Sequence, residues 1–120
     1  MFELTVQGHI ASAHQLHGYD GPCKFMHGHT WKVQMVVCQE GINAVGLVED
    51  FKVLKAKLQD ILSPLDHVVL NDLPVFKDVN PSTENLARHI YRALKGACAP
   101  LRLKHVEVWE SDTASVIYYE

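Results

Sequence analysis

Residues 23–37 read Cys23-Lys24-Phe25-Met26-His27-Gly28-His29-Thr30-Trp31-Lys32-Val33-Gln34-Met35-Val36-Val37, and their period decides what the chain builds. Trp31, Val33, Met35 and Val37 alternate with Thr30, Lys32, Gln34 and Cys38, the pattern of a half-buried strand over 28–39. His27 and His29 share the parity of Trp31, so both imidazoles point to one face, at the end of an apolar surface. Gly28 between them lets another element approach the backbone closely. Two imidazoles on one face can share a metal. A third from a neighbouring strand leaves a tetrahedral ion one open position, which separates a catalytic zinc from a closed structural one. With 8 histidines in the chain, a lone His-x-His is a weak signal. Cys23, four residues upstream, and His14 behind Ala11-Ser12-Ala13 strengthen it. Cys23 is either a fourth ligand that closes the site or a group outside the ligand set, and spacing does not choose.

Upstream, residues 2–14 read as a strand in which Phe2, Leu4, Val6, Ile10 and His14 share one parity. Gly18, Gly21 and Pro22 make 15–26 a loop. Downstream, Asp50 is a good N-cap for a helix with Phe51, Leu54, Leu58, Ile61 and Leu62 on one stripe, ended by Pro64. Lys52, Lys55, Lys57 and Gln59 make its solvated face. Asp66-His67 opens an apolar run; in an extended segment adjacent side chains point to opposite sides, so spacing alone reads the two as an ordinary turn. A second helix is expected to start near Asn80-Pro81, with Leu86, Ile90, Leu94 and Ala97 as its apolar stripe and Gly96 as its stop. Residues 102–111 and 114–119 read as two strands joined at Ser111-Asp112-Thr113. Glu110 falls on the core parity of Val106 and Val108, where a carboxylate needs a partner.

The order strand, strand, helix, helix, strand, strand implies an α+β domain over residues 1–120. It is a four-stranded antiparallel sheet with two helices on one face. Sheet edges in so small a domain invite pairing between subunits. Of the 120 residues 48% are hydrophobic and 21% charged, and the net charge is −3 with histidines neutral, the balance of a soluble globular protein. No basic stripe points to nucleic acid, and no apolar run approaches the ~20 residues of a membrane span. The start of the chain lacks the basic and apolar blocks of a signal peptide. Three cysteines without a C-x-x-C pair argue against a disulfide framework and fit a reducing cytoplasm.

Six motifs occur in order: Ala11-Ser12-Ala13-His14, Cys23-Lys24-Phe25-Met26-His27-Gly28-His29, Val48-Glu49-Asp50-Phe51, Leu65-Asp66-His67 with Leu70-Asn71, Asn80-Pro81-Ser82-Thr83-Glu84-Asn85, and Val106-Glu107-Val108-Trp109-Glu110. Each is weak alone. Together, at these separations, they resemble the 6-pyruvoyl-tetrahydropterin synthase family over nearly the whole chain. The likeness is strongest to its bacterial branch, which makes 6-carboxy-tetrahydropterin for queuosine biosynthesis. The resemblance implies the tunnelling fold, with sheets closing into a barrel between three subunits and two barrels stacking into a homohexamer. It implies zinc on His14, His27 and His29, and Cys23 as proton acceptor. Asp66 and His67, against the bland reading above, and with them Glu110, would serve in proton relay or in anchoring the pterin, Glu110 being both a catalytic and a substrate-binding candidate. Ser82 and Thr83 are further substrate contacts it implies. Lys24, where other members often carry a small residue, is a candidate to hold a triphosphate, against the plainer reading of a solvated lysine. Cys23 argues against a folate-precursor branch that has glutamate there.

The implied substrate is 7,8-dihydroneopterin triphosphate, converted to 6-carboxy-tetrahydropterin with release of acetaldehyde and triphosphate. Two other readings stay open: the pyruvoyl-type synthase, which eliminates triphosphate and keeps the side chain, and a non-catalytic zinc- or pterin-binding module in which Cys23 ligates the metal.

Overall fold

The computed structural model describes residues 1–120, the side chain of Cys23 excepted. Strands β1 (Phe2–His14) and β2 (His27–Gln39) are followed by helices α1 (Phe51–Leu62) and α2 (Thr83–Ala97), then strands β3 (Arg102–Ser111) and β4 (Ala114–Tyr118). The sheet order is β1-β2-β3-β4, antiparallel throughout. Expected fold class and element order hold. Among the described residues no helix is long and apolar enough to cross a membrane.

One sheet face carries Val6, Ile10, Trp31, Val33, Met35, Val106 and Val108, all buried. Leu54, Leu58 and Leu62 of α1 and Leu86, Ile90 and Leu94 of α2 pack on it, one residue per turn from each helix. Gly8 lies under α1: a Cβ there would come within 2.8 Å of Leu62 Cδ1. The other sheet face is polar. Gln7 Nε2 donates to Gln34 Oε1 at 2.8 Å, Ser115 Oγ to Glu107 Oε1 at 2.7 Å, and Lys32 Nζ sits 4.6 Å from the Trp109 ring centre.

Several local expectations need correction. Val36, on the outward parity of β2, is buried, and a β-bulge against β3 falls between Val36 and Val37. Phe51 shares the α1 stripe but is exposed in the first turn, beside the exposed connection 41–47. Helix α2 is capped by Ser82 rather than Asn80: Ser82 Oγ accepts from Asn85 N at 3.2 Å. Asn80 is spent elsewhere, as shown below. Gly96 lies inside α2, and Cys98, not Ala97, is the buried residue at its end.

The outer edge of β1 is covered near its C-terminal end. His67 N donates to Ala11 O at 2.7 Å and Ala13 N to Val68 O at 3.0 Å, and Ala13 bridges Val69 in parallel. Residues 66–69 thus add a short rung beside His14.

Candidate metal centre and active site

The β1–β2 register sets His14 across from His27 and Ser12 across from His29. Strand parity puts all three imidazoles on the helix side of the sheet, just beyond Trp31. His14 Nε2 lies 3.0 Å from His27 Nε2, which lies 2.8 Å from His29 Nε2. Trp31, fully buried, meets His14 and His29 edge-on with ring centres 4.9 Å and 5.1 Å away, an apolar floor under the cluster.

Two backbone carbonyls fix what these rings can do. His14 Nδ1 is 2.7 Å from Pro81 O, and His27 Nδ1 is 2.7 Å from Phe25 O. A carbonyl only accepts, so each Nδ1 carries a proton, and the Nδ1–H tautomer turns its bare Nε2 lone pair inward. Burial is the main cause holding the His14 and His29 imidazoles below their ordinary value, so both are neutral at pH 7. The bare Nε2 atoms of His14 and His27 are 3.0 Å apart, and two lone pairs at that distance repel unless a cation lies between them. The ligand atoms of His14, His27 and His29 all lie within 4.8 Å of one another. This donor set fits zinc with a position left open.

Glu110 comes from β3 where its pairing with β4 shifts register between Trp109 and Ser111. Its Oε1 is 3.4 Å from His29 Nε2 and 3.9 Å from His14 Nε2. Glu110 and His14 also line a cavity of about 280 Å³ with Ser82, Thr83 and Tyr19. Ser82 Oγ caps α2, and Thr83 Oγ1 accepts from Trp31 Nε1 at 3.3 Å. Each hydroxyl therefore keeps its O–H as a donor for a ligand.

Asp66 and His67 bond directly, against the extended-segment reading: His67 Nδ1 is 2.9 Å from Asp66 Oδ2. The reason is the His67 backbone, at φ 55, which folds the imidazole back toward its neighbour. Asp66 Oδ1 accepts from Ala11 N at 2.8 Å, and this bond, helped by His67, holds the carboxyl below its ordinary value. His67 and His29 both line an open groove with Ala13 and Gly28, separate from the cavity that Glu110 lines. Lys24 Nζ lies on the surface, 3.5 Å from Asp20 Oδ1 and 5.2 Å from the Phe25 ring centre. The side chain of Cys23, the expected base, lies outside the described residues; its backbone is in a 3₁₀ turn, Pro22–Lys24, that ends two residues before β2.

The sequence did not disclose the positioning groups. Asn71 Oδ1 accepts from Gln15 N and its Nδ2 donates to Gln15 O, both at 2.9 Å. Asn80 does the same at His17, at 2.9 Å and 2.8 Å. These clamps hold the chain that leaves His14. Their only signal was Leu70-Asn71 and Asn80-Pro81, of which the second also reads as a helix start.

A family model described as 6-pyruvoyl tetrahydropterin synthase matches residues 3–120. The chain is 34% identical over 113 residues to a 6-carboxy-5,6,7,8-tetrahydropterin synthase of Synechocystis, covering 90% of this chain and 85% of that one. It is 38% identical over 94 residues to the human 6-pyruvoyl tetrahydrobiopterin synthase, covering 77% of this chain and 65% of the human one. The solved 6-pyruvoyl tetrahydropterin synthase of Caenorhabditis elegans superposes with a TM-score of 0.89 at 24% identity, over 99% of this chain and 95% of that one, so the fold is shared. With the sheet order, the three converging imidazoles and the match along nearly the full sequence, the chain belongs to the 6-pyruvoyl tetrahydropterin synthase family.

Proposed function

We propose that the protein is a zinc-dependent carbon–carbon lyase of the 6-carboxy-tetrahydropterin synthase type. It would convert 7,8-dihydroneopterin triphosphate to 6-carboxy-tetrahydropterin, releasing acetaldehyde and triphosphate, as a cytoplasmic homohexamer whose sheets close into barrels between subunits. The observation that carries the reading is the convergence of three Nε2 atoms, two of them with Nδ1 locked on carbonyls, beside a carboxylate that faces the same cavity. The relatives that share a carboxy-type name support the choice of product.

His14, His27 and His29 would hold the zinc, which when bound supplies positive charge against the negative charge developing on the substrate's side chain. Glu110 accepts two N–H bonds from the amino-pyrimidine edge of the pterin, a charge-assisted bidentate contact. Ser82 and Thr83 donate their remaining O–H groups to the same ring. Cys23 is the residue that takes a proton, as thiolate, the form in which a cysteine acts as base or nucleophile. Asp66, kept ionised by Ala11 N–H, holds Nδ1–H of His67 and leaves Nε2 free to exchange a proton with the substrate.

The test is product identity. Zinc-loaded protein with 7,8-dihydroneopterin triphosphate should release acetaldehyde and triphosphate in equal amounts. Triphosphate without acetaldehyde would assign the pyruvoyl-type reaction instead, the reading that the human relative favours. Neither product would leave a binding module.

A further inference from the structure

Tyr19 stands in the wall of the cavity that holds His14 and Glu110, together with Leu16 and Val116. Its ring fits there because residue 21 is glycine. A Cβ on Gly21 would lie 2.6 Å from Cε1 and Cζ of Tyr19 and 2.7 Å from its Oη, inside any real contact distance. The stretch that carries Tyr19 is not loose at its start: Asn71 grips Gln15 and Asn80 grips His17, each through two hydrogen bonds. Gly18, at φ 77, then turns the chain so that Tyr19 comes back over Gly21. The cavity thus has a carboxylate and hydroxyls on one part of its lining and an aromatic ring with two aliphatic side chains on another.

That lining has the chemistry of a flat heterocycle with N–H donors along one edge: the edge meets Glu110, and the faces need apolar or aromatic cover. At about 280 Å³ the cavity falls just below the usual range of ligand sites, roughly 300–1,000 Å³. It takes a bicyclic ring, and a charged tail must leave through its open side.

We propose that Tyr19 is a substrate-contacting residue that stacks on the pterin ring seated by Glu110, and that Gly21 is the residue that lets it do so. The inference rests on the pterin reading above and adds a specificity element peculiar to the loop between β1 and β2. Tyr19 is 49% exposed, so an added methyl at residue 21 moves the ring aside rather than straining the fold.

The experiment measures binding of neopterin, by its own fluorescence, to zinc-loaded parent protein and to Tyr19→Ala, Tyr19→Phe and Gly21→Ala. Zinc content is read on each sample as the check that the site is intact. Tyr19→Ala and Gly21→Ala should weaken neopterin about tenfold, the scale of one aromatic stacking contact. Tyr19→Phe should stay within about twofold of the parent, because stacking uses the ring and not the hydroxyl. Parent-like binding by Tyr19→Ala overturns the proposal while leaving the pterin reading standing. Tyr19→Phe as weak as Tyr19→Ala also overturns it, by assigning the contact to the hydroxyl. Parent-like binding by Gly21→Ala removes Gly21 from the account. A parent that does not bind neopterin at all overturns both this inference and the pterin reading.

Discussion

His27 is held by Phe25 O on one nitrogen and faces both other imidazoles with the other, so it is the central member of the trio. His27→Ala should therefore lose zinc and turnover together; stoichiometric zinc in the purified variant would remove His27 from the ligand set. Cys23→Ala separates chemistry from metal binding. Loss of a proton-transfer group typically lowers the rate ~10²–10⁴-fold, whereas loss of a ligand releases the metal. Zinc content and acetaldehyde release on one Cys23→Ala sample should show full zinc and a rate lower by that factor. Zinc lost with the activity would make Cys23 a ligand, and near-normal turnover with zinc retained would transfer the base role, with His67 next to be tested.

At the scale of elements, the start of α2 and the metal centre share a foundation. Ser82 caps the helix, and the preceding Pro81 carbonyl orients His14, so the cap residue adjoins the group that sets the His14 tautomer. Ser82→Ala should cost about 1 kcal/mol of stability, read from denaturant melts, as caps commonly do. It should also weaken zinc, because Pro81 is then less firmly placed. A stability loss with unchanged zinc affinity in a competition titration would show that Pro81 is fixed by the Asn80 clamp alone. Strand β1 shows a second coupling of this kind. Its edge is open over the stretch before Ala11 but is paired by residues 66–69 near His14, where Asp66-His67 is delivered.

Taken as a whole, the molecule ties its far end back to α2. Glu120 receives Arg92 Nε and Tyr118 Oη, each at 2.8 Å, and Lys95 Nζ at 3.4 Å. The bond from Arg92 is the main cause that pulls its carboxyl down to about 2. A carboxylate whose folded value is depressed stabilises above its unfolded value and loses that contribution as pH falls through the folded one. Glu120→Gln should therefore melt lower than the parent at pH 7, and the difference should shrink between about pH 4.5 and pH 2. A pH-independent difference would mean that packing, not charge, is what the variant lost. The remaining open surface concerns assembly. Ile42, Val45, Leu47, Phe51 and Val53 are exposed along one continuous stretch, and β4 ends the sheet. Exposed apolar side chains and an open edge favour self-association. Sedimentation should show a homohexamer, and a fully active monomer in dilute buffer would contradict both the assembly and the barrel.

The order of elements and the shared face of His14, His27 and His29 were written in the sequence, because strand parity is a local property and the period-2 runs on both sides are long. The β1–β2 hairpin then needed only its register for the trio to meet. Glu110 on the core parity of β3 was legible for the same reason. What the sequence left open came from contacts between segments far apart in the chain. Every residue has a carbonyl, so nothing in Pro81 or Phe25 announces that its oxygen fixes an imidazole. The Asp66–His67 bond depended on a positive φ at a non-glycine residue, which is held by backbone bonds to β1 rather than by local preference. Asn80 was a helix start by composition and became a clamp on His17 because only the folded chain brings those two backbones within reach of one side chain.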